Sequence, residues 1–289
     1  MSHFTVMVFG DNPDELLAPF DENLEVPKYL VGEVSEDEQA RFLACFSRED
    51  DIENELLTFK ELYEKHGDEW NYGRWEFEGD KVIEYSTYNP KSKWDWYQIG
   101  GRWTGFFKLK NIANGALGSP GAFGNEPDEG TADILRKKDI DIEGMREVSE
   151  REAAEAYDKI KPIIDEFGDG FIPWEESIKK FDDPDEARKF YHSQPLIKVL
   201  SERRNELRYF IHIEDFLVSR EEYLQRARDN AISPYAFVTP KGEWIEKGKM
   251  GWFGISSDEK DQDEWDKVFS DYFDNLPDDV IVTLVDCHI

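Results

Sequence analysis

Apolar and β-branched residues run together at both ends of the chain. His3–Gly10 (HFTVMVFG) and Val280–Ile289 (VIVTLVDCHI) each read as a strand, the first stopped by the turn Gly10-Asp11-Asn12-Pro13. Between them the period changes. Asp14–Phe20 reads as one short helix stopped near Pro19, and Ser35-Glu36-Asp37-Glu38 has the spacing of a capping box that starts a helix to about Phe46. Ile52, Leu56, Phe59 and Tyr63 recur at helical steps, and Gly67 is expected to end that helix. Tyr72–Glu78 and Lys81–Ser86 then form a hairpin pattern about Gly79-Asp80, and Trp103–Lys110 reads as a further strand.

From residue 131 to about 230 the helical period dominates. Ser149-Glu150-Arg151-Glu152 is a second capping box. It precedes an apolar face of Ala153, Tyr157, Ile160, Ile164 and Phe167 that Pro162 is expected to kink. Asp183-Pro184 sets an N-cap followed by proline at the first helical position. Pro195–Leu207 is a further helix, and Ser219-Arg220-Glu221-Glu222 starts another to about Ala231. Tyr209–Ile213 fits a strand and a buried helical turn equally. Tyr235–Thr239 and Glu243–Glu246 make a hairpin, and Trp265, Val268, Phe269, Tyr272 and Phe273 make a helical stripe. Asn111–Gly130 holds five glycines and two prolines in twenty residues and reads as a loop or linker.

The expected class is α+β. Residues 1–110 and 231–289 would build a mixed or antiparallel sheet domain with the first and last strands as neighbours. Residues 111–130 would be a Gly/Pro-rich linker, and 131–230 a mainly helical insertion.

Charge narrows the function classes. The 289 residues carry 35 Lys and Arg against 65 Asp and Glu, a net of −30, while 39% apolar residues suffice for a core. Residues 11–55 hold fifteen acids and three bases, and 258–279 hold ten acids and two bases. Such flanks are either a solvated surface or a face for a basic partner, and they argue against direct nucleic-acid binding. Carboxylates spaced like phosphates would make an acidic DNA mimic. No apolar run approaches the ~20 residues of a membrane span, and the N-terminus lacks the pattern of a secretion signal. Two distant cysteines, Cys45 and Cys287, give no disulfide framework and fit a reducing cytosol.

Few motifs carry chemistry. The segment Gly115–Gly124 lacks the Gly-Lys-Ser/Thr of a phosphate loop, and no cofactor is implied. Asp286 and His288 alternate on the last strand and share a face. With His3 from the first strand they would form a divalent-metal set, the basis of an alternative reading as a metal-dependent hydrolase acting on a nucleotide or other small substrate. Cys287 points the other way, as a small buried side chain or a self-association contact. The most unusual stretch is Trp94-Asp95-Trp96-Tyr97-Gln98-Ile99-Gly100-Gly101-Arg102-Trp103. If extended, it places Trp94 and Trp96 on one face and Asp95 and Tyr97 on the other. It reads as a core wedge with a Gly-Gly turn, as a ligand- or base-stacking site, or as a protein-binding hot spot formed by Trp94, Trp96, Tyr97, Arg102 and Trp103.

Three segments carry a family resemblance: Ser2-His3-Phe4-Thr5-Val6, the block from Tyr88-Asn89-Pro90 through Lys91-Ser92-Lys93 to Trp103, and the ending Val285-Asp286-Cys287-His288-Ile289. Together they resemble a group of phage- and prophage-encoded proteins that includes the Gabija anti-defence proteins. The resemblance covers the flanks and not the helical middle. It implies an inhibitor rather than an enzyme. Such a protein would act in the cytoplasm of the infected bacterial host, bind a Gabija-type nuclease–helicase complex, oligomerise around it and block DNA binding and cleavage. It implies no catalytic residue, no direct contact with nucleic acid and no membrane association.

Overall fold

The computed structural model describes residues 2–46, 59–70, 74–79, 81–111, 114–122, 126–203, 207, 212–251 and 254–289. The class is α+β. Strand β1 (His3–Phe9) leads through helix α1 (Pro13–Leu17) to β2 (Tyr29–Glu33), α2 (Glu36–Phe46), α3 (Phe59–Trp70) and the hairpin β3 (Arg74–Glu78) and β4 (Lys81–Ser86). Strands β5 (Trp96–Gly101), β6 (Phe107–Lys108), β7 (Gly115–Ala116), β8 (Ser119–Pro120), β9 (Thr131–Ala132) and β10 (Ile134–Arg136) follow. Helices α4 (Ile142–Phe167), α5 (Trp174–Lys179), α6 (Pro184–Ser193), α7 (Pro195–Glu202) and α8 (Arg220–Asn230) come next. The chain closes with β11 (Ala236–Val238), β12 (Trp244–Glu246), β13 (Lys249–Met250), β14 (Ser256–Ser257), α9 (Gln262–Asp274) and β15 (Ile281–His288).

The main sheet joins both chain ends, as the terminal strand patterns predict. Its order is β12-β11-β1-β15-β10-β7, with β5 on β15 and β8 on β5. β1 and β15 pair antiparallel from His3↔His288 to Phe9↔Val282, while β1 and β11 run parallel. β15 is therefore interior to the sheet. Its first half pairs with β10 and its second half with β5. That placement explains a run of apolar residues with little alternation, because both faces are covered. One face carries Met7, Phe9, Val282 and Leu284 against Trp265, Phe269 and Phe273 of α9. The other carries Phe4, Val6, Val8, Val285 and Cys287 against Leu17, Phe20 and Trp94.

A smaller sheet, β2-β4-β3, packs its inner face on α2 and α3. Phe42, Leu62, Trp75 and Val82 are its buried centre, and the Tyr63 ring stacks on Trp75 at 4.9 Å. Ser35 accepts from the backbone N–H of Glu38, so the predicted capping box starts α2. Gly67 does not end α3, which continues to Trp70. It is there because a Cβ would lie 2.7 Å from the Tyr63 ring one turn earlier. Ile52, Leu56 and Tyr72 lie outside the described residues.

The helical segment has its own core, in which Tyr157, Ile160 and Ile164 of α4 meet Leu196 and Leu200 of α7, with Ile213 and Phe216 alongside. Two expectations for α4 need correcting. It begins at Ile142, capped by the Asp141 carboxylate on the N–H of Gly144, and Ser149 instead donates to the carbonyl of Ala227 in α8. It also runs unbroken through Pro162. Asp183 and Ser219 cap α6 and α8 as their sequences predict. Residues 213–217 form a 3-10 helix, while 209–211 lie outside the described residues.

The main sheet also takes in residues 115–116, 119–120 and 134–136, from the predicted linker and the start of the helical segment. Of the strand expected over Trp103–Lys110, Phe107–Lys108 pairs with β9 and Leu109 adds a single antiparallel bridge to Ile140. The residues before it bend around a buried carboxylate described below.

Candidate functional site

Strand pairing decides which side chains meet. On the α9 face of the sheet, β1 presents His3, Thr5, Met7 and Phe9, and β15 presents Val282, Leu284, Asp286 and His288. The half near Phe9 and Val282 is apolar and lies under α9. Towards His3 and His288 the same face turns polar. β5 adds Trp96 opposite His288 and Gln98 opposite Asp286. One row across three strands thus reads His3, His288, Trp96. The next reads Thr5, Asp286, Gln98.

Each histidine of the first row is held by a carboxylate. His3 Nδ1 lies 2.8 Å from Asp286 Oδ1, and His288 Nδ1 lies 2.6 Å from Asp95 Oδ1. An ionised carboxylate only accepts, so each Nδ1 donates, and the neutral form of each ring then carries its lone pair on Nε2. The imidazoles meet edge to face at 4.9 Å, and Trp96 stands edge-on to both at 6.1 and 6.3 Å. The two histidines are mostly enclosed, whereas Asp95 is 38% exposed in its side chain.

Asp286 is buried, and its second oxygen accepts from the backbone N–H of Arg102 at 2.9 Å. Asp133, also buried, does more of the same work. Its Oδ1 accepts from Gly105 N–H at 2.7 Å and from Phe106 N–H, and its Oδ2 accepts from Gly118 N–H at 2.8 Å. Burial pushes the Asp133 carboxyl up, and those three N–H groups oppose the shift. Gly100 and Gly101 lie between the two acids with φ of +78° and +57°. A Cβ on Gly100 would sit 2.6 Å from Asp133 Oδ2, and one on Gly101 would sit 2.3 Å from Asp286 Cβ. The Gly-Gly pair is required both by its left-handed backbone and by this close approach.

The five aromatic and basic residues singled out from sequence are not gathered into one patch. Trp94 and Trp96 do not share a face, because Trp94 precedes β5 and turns into the core, where its indole N–H donates to the carbonyl of Leu17. Tyr97 packs edge-on against Trp94 at 4.8 Å and donates to Asp14, and burial with that carboxylate pushes its phenol well up. Trp103 packs on the core beneath α9. Trp96 and Arg102 are exposed. Cys287 is fully enclosed, its thiol pushed well up by burial and by Asp286, so its side chain presents no surface to a second copy.

His3, Asp286 and His288 do converge, but not as three ligands about one point. The Nδ1–carboxylate contact makes Asp286 a partner of His3, and among the described residues no group of three or more metal-ligating side chains is arranged to hold an ion. Sequence reasoning missed Asp95 and Asp133. Asp133 had a signal, a lone acid in the otherwise apolar run Ala132-Asp133-Ile134-Leu135. Asp95 had none, since its meeting with His288 depends on the β5–β15 register. No described helix is long and apolar enough to cross a membrane. Comparison with protein-family models, with curated proteins and with solved structures returned no match.

Proposed function

We propose that the chain is a protein-binding inhibitor without turnover, phage-encoded, that assembles around a bacterial DNA-targeting complex of the Gabija type and blocks its DNA binding and cleavage. The observation that carries a binding role is the edge of the smaller sheet. Among the described residues β2 pairs on one side only, with β4. The register shifts between Leu30 and Gly32, which leaves Val31 without a cross-strand partner. Leu30 is 60% and Val31 52% exposed. An open strand edge with apolar side chains is a template for pairing with another chain.

Acidic residues flank this edge in the sequence. Glu25, Glu36 and Asp37 are exposed beside it in sequence, within the flank that carries much of the negative charge. Acids around an apolar strip suit a basic partner, since long-range attraction speeds encounter while the strip supplies contact area. The resemblance of the N-terminal segment, the tryptophan block and the C-terminal ending supplies the target class.

The test is capture of the tag-purified protein from cells expressing a Gabija complex, followed by sizing and a DNA-cleavage assay. A discrete co-complex with cleavage suppressed is expected. Replacing both edge residues, Leu30→Lys with Val31→Lys, should weaken capture at least about tenfold, a loss of about 1.4 kcal/mol. The thermal midpoint should stay nearly unchanged, because both side chains already face water. Recovery of the bare protein with cleavage intact would overturn the assignment.

A further inference from the structure

We propose that His3 and His288 form a two-imidazole site for a divalent transition-metal ion of the zinc class. Ser2 and Ile289 exchange both backbone hydrogen bonds, at 3.0 and 3.1 Å. The next pair, His3 and His288, is therefore a non-hydrogen-bonded pair, the kind in which facing side chains come closest. The rings sit 4.9 Å apart on one face of the sheet.

Three features prepare these rings for a metal. Each Nδ1 is committed to a carboxylate, Asp286 for His3 and Asp95 for His288, which leaves Nε2 as the basic atom in both. A histidine that ligates through one nitrogen and donates from the other to a carboxylate is the usual arrangement at protein zinc sites, where the acid fixes the ring and raises its basicity. Neither Nε2 has a hydrogen-bond partner among the described residues, and neither is among the polar atoms buried without one, so both reach solvent. The Trp96 ring stands edge-on to both imidazoles and walls one side.

Imidazole nitrogen selects zinc, copper, nickel or cobalt over magnesium and calcium, which demand oxygen ligands. Two protein ligands leave further positions for water or for a group brought by another molecule. The site lies on the main sheet, apart from the β2 edge, and is independent of the inhibitor reading.

The experiment uses tag-free full-length protein stripped with chelator. Zinc is titrated in by calorimetry, and the imidazole nitrogens of the wild type are followed by NMR. One zinc ion per chain is expected, with the Nε2 signals of two of the five histidines perturbed and no heat from magnesium or calcium. His3→Gln and His288→Gln should each weaken binding at least about tenfold, and the double substitution should abolish it. Asp95→Asn, at a positioning residue, should weaken it by about 10- to 100-fold while both ligands remain. Cys45→Ser should change nothing. Zinc binding that survives the double substitution in a folded protein would overturn the proposal. So would perturbation centred on His66, His192 or His212, or no zinc binding by the wild type.

Discussion

Asp133 ties the bend that follows the tryptophan-rich block to the residue just before β8. Its carboxylate takes three backbone N–H groups, from Gly105, Phe106 and Gly118, that have no strand partner to bond. An unmet buried donor costs about 1–3 kcal/mol, so Asp133→Ala should destabilise the protein by about 3 kcal/mol or more. Asp133→Asn should also destabilise, because its amide would turn a donor toward a donor. Urea denaturation of the three proteins measures both losses. A change under ~1 kcal/mol for the alanine variant would show that water or backbone movement replaces the carboxylate. The tryptophan-rich block is thus dominated by packing and by two buried acids, and its exposed parts are Trp96 and Arg102.

At the scale of elements, helix starts follow local chemistry. Ser35, Asp183 and Ser219 each accept a backbone N–H at the start of a helix, and each stood out in the sequence for that reason. The exception is α4. Ser149-x-x-Glu152 fits the capping pattern, yet the helix had already begun at Ile142, capped by Asp141, and a cap is needed only where helical hydrogen bonds are absent. Asp141→Ala should cost about 1 kcal/mol, while Ser149→Ala should remove only the bond to Ala227 and leave the helix start intact. Hydrogen exchange in the first turn of α4 separates the two: faster exchange at Gly144 and Met145 is expected for the Asp141 variant alone. The Lys108 ammonium and the Gly144 N–H hold the Asp141 carboxyl below its usual range of about 3.8. Its stabilising share is therefore present above that value and is lost as the pH falls below it.

For the whole molecule, the net charge of −30 and a set of crowded acids act in the same direction. Burial raises Asp133, Asp266, Glu22 and Glu84, with neighbouring acids adding to the shift in the last three. A carboxyl raised in the folded state binds protons more readily folded than unfolded. Stability from these groups therefore grows as pH falls through their folded values and is lost as pH rises. Asp141, Asp158, Asp258 and Asp279, lowered mainly by hydrogen bonds from Lys or Arg, act oppositely: their contribution is present above about 3.8 and is lost below it. The thermal midpoint should rise from pH 8 to pH 5 and fall again below pH 4. Added salt should raise it at pH 8 by screening self-repulsion. A midpoint that falls steadily from pH 8 downward would show that the ion pairs outweigh the crowded acids.

What the sequence determined by itself was local or terminal: the α+β class, most helix starts, the two hairpins and the pairing of the end strands. Each rests on a period or a cap that a few neighbouring residues specify. The convergence of His3, Asp286 and His288 was also legible, since two strands of known face needed only to be adjacent. Tertiary structure decided the rest. The β5–β15 register brought Asp95 to His288 and put Trp96, not Trp94, beside the histidines. Long-range hydrogen bonds and close contacts made the expected Gly-Gly turn a seat between Asp133 and Asp286. These contacts join residues far apart in the chain, so no local pattern encodes them, and they form only when the sheet closes around its last strand.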